Sequence, residues 1–445
     1  MTTVSRILEP EWIATATREA PLLDRHSVAI AGDRIAAIGP RAQIRARHPD
    51  IEPVALAGHL LIPGLVNLHT HAAMSLLRGI GDDLSLHRWL QERIWPTEGK
   101  LVSPSFVYDG SLLACREMLL GGITCFNDMY FYPEETARAA ALLGMRARVG
   151  IIVIDFPSAY GTGPEDYLRK GLALRDRHLD DPLIGFCLAP HAPYTVGDDA
   201  FRRVATIASE LAMPVHVHVH ETAEEVSQSL AQHGRRPLQR LCDLGLLGPE
   251  VIAVHAVCLD EHDLALMQAH NVSVAHCPHS NLKLASGIAP IARMLDAGLN
   301  IGIGTDGSAS NNRLDLIDEA RTAALLAKGA SGRADLWPAA EVLEAMTIGG
   351  ARALGMEKQI GSIEAGKQAD LVAIDMNATE LRPVFDPISQ FVFAGGREHV
   401  ADVWVAGKHV VHKRQLLDSA SSGKLAEVVS RIGVWQNRID EILSS

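Results

Sequence analysis

Imidazole is the side chain most often found on metal ions, and this chain holds 20 histidines that fall in groups. His69 and His71 flank Thr70. His216, His218 and His220 alternate with valines and run directly into Glu221, while His191, His255, His276, His279 and Asp306 each lie at or just beyond the end of an apolar run. On a strand, residues two apart point to the same side, so His69 and His71 can hold one ion between them. One histidine from the 216/218/220 set and the Asp306 carboxylate bring the count to three or four N/O ligands and leave room for a water. That is the open arrangement of a catalytic zinc. The spacing puts His216, His218 and His220 on one face and does not choose among them, since any one could simply fill a core layer. Glu221 is close enough to a metal-activated water, whose pKa drops to about 7, to take its proton. Its ordinary alternative is a carboxylate favoured by a helix N-terminus.

Competing motifs are weaker. Gly302-Ile303-Gly304-Thr305-Asp306-Gly307 matches the dinucleotide fingerprint G-x-G-x-x-G after a strand. A fingerprint loop offers backbone N–H groups to a pyrophosphate, and Asp306 would set a carboxylate against it. The strand is also the last of its series rather than the first of a βαβ unit. No P-loop, H-E-x-x-H helix or P-C-x-x-C segment is present. Six cysteines without a C-x-x-C pair argue against a disulfide framework and a thiolate zinc site.

Eight short apolar runs carry these residues: 61–69, 122–128, 146–155, 184–190, 214–220, 251–257, 271–277 and 300–306. The segments between them are apolar at helical spacing, several opening on Ser or Asp. This alternation implies an α/β fold, and eight strands are the count that closes a (β/α)8 TIM-type barrel, whose catalytic groups sit at the C-terminal strand ends. A doubly wound open sheet is the alternative. The flanks, with SVAIAGDRIAAIG near the start and GSIEAGKQADLVAID and HVADVWVAGKHVV near the end, read as short antiparallel strands. Neither flank makes a stable sheet alone, so both chain ends are expected to meet in one small β-sandwich domain. The expected division is sandwich over 1–60, barrel over 61–360, sandwich again over 361–418 and a C-terminal amphipathic helix over 419–445.

With 445 residues, 41 Lys and Arg against 53 Asp and Glu, and 47% hydrophobic residues, the composition is that of a globular chain carrying a net charge of −12. An acidic chain without a basic run repels phosphate backbones and anionic lipid, which sets nucleic acid and membranes aside as partners. No apolar stretch is long enough to span a bilayer, and the start lacks a signal-peptide pattern. A cytoplasmic location and a homo-oligomer, the common outcome, are the expectations.

The segments PGLVNLHTH, APHAPYT, HVHVHETAEE, VHAV, HCPHSNLKL and GTDGSASNN, in that order, resemble the amidohydrolase superfamily over nearly the whole chain. They are most similar to its 5′-methylthioadenosine/S-adenosylhomocysteine deaminases, as is the run Gly361–Val372. The resemblance implies His69, His71, His218 and Asp306 as ligands of one Zn2+ per subunit, because His191 replaces the carboxylated lysine of binuclear members. It further implies Glu221 as proton shuttle and His255 and Asp306 as groups orienting the water and the developing oxygen. Glu98 then takes the two ribose hydroxyls, His191 contacts purine and ribose, and Ser310 lines the same pocket. Arg148, Trp89 and Met129 are assigned to the wall around the 5′ substituent. The activity implied is hydrolytic deamination of a 6-aminopurine nucleoside. Methylthioadenosine comes first as substrate, then adenosine and S-adenosylhomocysteine, with guanine or an s-triazine as the alternative ring. A non-catalytic barrel and a nicotinamide oxidoreductase are the rivals from other classes.

Overall fold

The computed structural model of the chain describes residues 3–417 and 419–444. Eight strands, β1 (Leu65–Thr70), β2 (Ile123–Asp128), β3 (Arg146–Val153), β4 (Ile184–Pro190), β5 (Val215–Val219), β6 (Val251–His255), β7 (Ser273–His276) and β8 (Ile301–Ile303), form one sheet in chain order, each beside the next. The ladders are parallel, and the Asp306 N–H donates to the His69 carbonyl at 3.0 Å. That bond joins the end of the last strand to the first, giving a nearly closed TIM-type barrel. Because helices cover such strands outside and side chains fill them inside, β1, β2 and β5 are buried along their whole length.

A second sheet holds nine strands and draws on both chain ends. Its order is 415–416, 408–412, 400–405, 371–375, 54–63, 6–14, 26–31 and 34–40, with 22–24 added beside 6–14. Leu371–Asp375 pairs antiparallel with Val54–Pro63, which is where the two ends of the chain are sewn together. One pair departs from the antiparallel expectation: Arg6–Ala14 runs parallel to Val54–Pro63, because the hairpin 26–40 and the helix Arg41–Arg47 return the chain to its starting end. Alternation places Leu8, Val28 and Trp404 in one core cluster and Ile7, Ala29 and Ile44 in another.

The expected strand 61–69 is two elements. Residues up to Pro63 belong to the nine-stranded sheet and β1 begins at Leu65. Between them, a Cβ on Gly64 would lie 2.0 Å from Thr124 Oγ1, so only glycine passes there. By contacts the chain forms two compact units. One comprises Met1–Asn67, Arg116–Cys125 and Asp315–Ser419, the other Leu68–Cys115, Phe126–Leu314 and Ala420–Ser445. In the second unit the helix Ser419–Ser444 is anchored by Asp109, which accepts from Arg431 at 2.5 and 2.9 Å and from Trp435 Nε1 at 2.9 Å. None of the six cysteines is joined in a disulfide among the described residues. Among the described residues no helix is long and apolar enough to cross a membrane.

Candidate active site

At the C-terminal ends of β1, β5, β6 and β8 four imidazoles and one carboxylate converge. Asp306 Oδ1 lies 3.1 Å from His69 Nε2 and 3.2 Å from His71 Nε2, and His218 Nε2 lies 3.2 Å from His69 Nε2. His69, His71 and His218, and separately His69, His255 and Asp306, offer donor atoms within 4.8 Å of one another. Atoms bound about 2.1 Å from one tetrahedral or five-coordinate ion stand roughly 3.0 to 3.4 Å apart, so these separations suit a shared cation.

The outer nitrogens define which atoms face inward. His71 Nδ1 donates to the Met129 carbonyl at 2.6 Å, His218 Nδ1 to the His191 carbonyl at 2.7 Å, and His255 Nδ1 to Asn281 Oδ1 at 2.8 Å. His69 Nδ1 lies 2.8 Å from His216 Nε2. With the outer nitrogen protonated, each Nε2 lone pair points at the centre, the tautomer that metal ligation requires. Two such lone pairs 3.2 Å apart repel unless a cation or proton lies between them.

The electrostatics separate His69, His71 and His218, and of these only His71 is favoured in its protonated form. Burial pushes His69 down to about 4, and burial among its neighbours holds His218 and His216 well below the usual imidazole range. His71 loses by burial but gains more from Asp306 and the Met129 carbonyl, which carry it up to about 9. Asp306 is buried, yet hydrogen bonds from His69 and His71 hold its carboxyl well below the carboxylate range. Its Oδ1 also accepts from the Gly307 N–H, and its Oδ2 accepts from Ser280 and Ser310 at 2.5 and 2.8 Å.

Local backbone explains the aim of these side chains. His220, His255 and Asp306 have φ of 56°, 70° and 57°, left-handed values that cost L-residues about 1 kcal/mol or more and turn the chain sharply at the strand end. At His220 this ends the alternation of β5. His216 and His218 stay on the inner face, whereas His220 Nδ1 donates to the Cys258 carbonyl and its Nε2 accepts from the Leu238 N–H, both at 3.1 Å. The shared face expected for all three histidines therefore does not hold. A Cβ on Gly304 would come within 2.9 Å of Cys277 Sγ and His69 Cβ. Close approach to a ligand-bearing strand, not phosphate binding, accounts for that glycine.

A cavity of about 780 Å³ opens over the cluster, lined by His71, His218, His255, Asp306, Glu221, Glu98, His191, Trp89 and Met129 among others. Glu221 is buried, and desolvation raises its pKa. Its Oε2 lies 3.8 Å from His255 Nε2, and its backbone N–H is held by Glu225 Oε2 at 2.7 Å. Glu98 sits on the helix Trp95–Leu101, started by Pro96 in its first turn. Tyr130 donates to Glu98 Oε1 at 2.5 Å, and burial in the cavity pushes Glu98 up to about 7. His191 Nδ1 lies 2.8 Å from Thr195 Oγ1, and burial lowers it to about 3.

Two expected substrate contacts are not in the wall. Arg148 pairs with Gly185 near the start of β3, at the end of the barrel away from the cavity, because a strand rises about 3.3 Å per residue and the wall is reached only at Ile152 and Ile154. Ser310 is buried and its hydroxyl goes to Asp306. His276 ends β7, buried outside the wall. Of the supporting groups, Ser280 and Asn281 lie within the segment HCPHSNLKL and Glu225 closes HVHVHETAEE, whereas Tyr130 belongs to none of the quoted segments.

A barrel with imidazoles and a carboxylate at its strand ends, open to a cavity lined by the glutamates Glu98 and Glu221, defines a metal-dependent hydrolase. The chain belongs to the amidohydrolase family, whose model matches residues 60–410, and within it to the 5-methylthioadenosine/S-adenosylhomocysteine deaminases. A bacterial imidazolonepropionase-like composite domain also matches residues 28–50. The 5-methylthioadenosine/S-adenosylhomocysteine deaminase of Saccharophagus degradans is 45% identical over 97% of this chain and 96% of that protein. The relative of the same name from Teredinibacter turnerae is 44% identical over 98% of each. Among solved structures, an adenosine deaminase from Xanthomonas campestris with bound zinc has a TM-score of 0.94 and 46% identity, covering 98% of this chain and 99% of that one.

Proposed function

We propose that the chain hydrolyses the 6-amino group of adenine nucleosides, with 5′-methylthioadenosine as first substrate, releasing 5′-methylthioinosine and ammonia. The observation that carries this is one cavity joining the His69/His71/His218/Asp306 donor set, Glu221 and the Glu98–Tyr130 pair. These four donors would hold one ion per chain, zinc as in the Xanthomonas structure. Bound there, the ion supplies a water acidified to a pKa near 7 and a Lewis acid for the developing charge.

The remaining work falls to the chain. Glu221, kept basic by burial, receives the proton of the attacking water and delivers it to ring N1 as the water oxygen adds to C6. His255, fixed by Asn281, and Asp306, fixed by two serine hydroxyls, orient the incoming oxygen. A second proton passes to the amine, which leaves as ammonia. Glu98 accepts from both ribose hydroxyls, for which its two oxygens are suited, and His191 meets the purine edge. Water in and ammonia out balance the reaction.

The wall favours a small apolar 5′ group. Trp89, Met129, Ile152, Ile154 and Phe156 line it, and no lysine or arginine does among the described residues. A methylthio group suits such a surface, whereas the charged tail of S-adenosylhomocysteine finds no cationic partner there. A cytoplasmic homo-oligomer completes the proposal, supported by six cysteines of which none is joined in a disulfide among the described residues and by the prevalence of symmetric assemblies.

The test is ammonia release by zinc-loaded protein from methylthioadenosine, adenosine, S-adenosylhomocysteine, guanine and a chlorotriazine side by side. Turnover confined to the nucleosides, with kcat/KM highest for methylthioadenosine, is expected. Turnover of guanine or the triazine alone would overturn the role of Glu98.

A further inference from the structure

Outside the barrel, the nine-stranded sheet carries a second cluster of nitrogen and oxygen donors. Asp402, His409 and His412 offer ligand atoms within 4.8 Å of one another. His409 and His412 are three apart on one strand, a spacing that normally sends side chains to opposite faces. Here the register against Val400–Val405 shifts: Val403 faces Val411, but Trp404 faces His409. This bulge spends one extra residue at Val410, buries Val410 and Val411 together, and brings both imidazoles to the same side, where they meet Asp402. His409 Nε2 lies 2.9 Å and His412 Nδ1 2.5 Å from the same oxygen, Asp402 Oδ1. The indole of Trp404 stacks on His409 with ring centroids 4.6 Å apart and planes at 15°, which fixes the plane of that ring. Asp402 is buried while the His412 side chain is 47% exposed, so an ion has both a shielded carboxylate and an entry path.

We infer that Asp402, His409 and His412 form a second, open site for a divalent transition-metal ion, distinct from the barrel site. Two imidazoles and one carboxylate on one face are the donor set that borderline cations take, with positions left for water. On binding, each ring proton now directed at Asp402 Oδ1 would move to the other nitrogen of its imidazole, freeing the lone pair for the ion, and the ion would tie the strands 400–405 and 408–412 together.

Cobalt(II) is the probe, added to untagged, metal-stripped full-length protein and counted by equilibrium dialysis and its visible absorption. The wild-type chain is expected to bind one equivalent more than His412→Ala, a half-exposed position whose truncation spares the core, and His409→Gln is expected to show the same loss of one equivalent. Ammonia release from zinc-loaded His412→Ala should match wild type. Equal cobalt content in wild type and both variants would overturn the second site. Because the signature is a difference of one equivalent, it holds even if the barrel donors bind nothing, and so separates failure of this site from failure of the deaminase reading.

Discussion

At the residue scale, the chemistry rests on which atoms face the centre, and that is decided by partners the sequence hides. The pattern His216, His218, His220 offers three equivalent imidazoles. The structure separates them through one left-handed residue and two outer hydrogen bonds, leaving His218 aimed at His69 and His220 tied to the Cys258 carbonyl. Glu221 was legible because it follows these histidines directly. Tyr130 was not, because nothing in its neighbours announces that it will meet Glu98 across the cavity, and Arg148 misled because its distance from the strand end is invisible without a register. Glu221→Gln should keep its metal and lose at least about 10²-fold in kcat, the lower end for general acid–base catalysis. Near-normal turnover in a stopped assay with metal analysis would remove that role. Glu98 gives a pH signature. Its folded-state pKa of about 7 lies above the ordinary 4.5, so between those values the folded protein holds a proton that the unfolded chain releases. The stability of the substrate-free enzyme therefore falls as pH rises through that window. Glu98→Gln should flatten this slope, so that its Tm relative to wild type is higher at pH 8 than at pH 5. An unchanged slope would contradict the shifted carboxyl.

At the scale of elements, strand ends do the positioning. The eight strands could be read from apolar runs, since fully buried parallel strands carry little else. What could not be read were the breaks, namely Gly64, where one expected strand divides between two sheets, and the helix that lifts Glu98 into the wall. Gly304 shows how tightly β8 is set against the ligand strand. Gly304→Ala must push Cys277 or His69 aside, an overpacking expected to cost about 1–3 kcal/mol. A lower Tm with weakened zinc retention is the expected result, and an unaltered metal titration would show that His69 tolerates the shift. The C-terminal helix reaches the same region: Trp435 packs on Phe106 in a core cluster shared with Trp89, Leu90 and Ile94 of the cavity side. Trp435→Ala should cost about 3–5 kcal/mol and raise KM for methylthioadenosine more than it lowers kcat. A kcat loss alone would place the helix elsewhere in the mechanism.

At the scale of the molecule, one chain builds a nearly closed barrel and a nine-stranded sheet that needs both of its ends. The meeting of the ends followed from economy, because neither flank could stand as a sheet alone. The parallel pair within that sheet did not, because its partner strands lie more than 40 residues apart. The central claim is that water replaces the 6-amino group of methylthioadenosine in the barrel cavity. Its most direct test is to incubate zinc-loaded enzyme with methylthioadenosine in 18O-labelled water and analyse the products by mass. The account predicts methylthioinosine carrying one labelled oxygen and one equivalent of ammonia. Free adenine without ammonia, or recovery of the nucleoside unchanged, would contradict it.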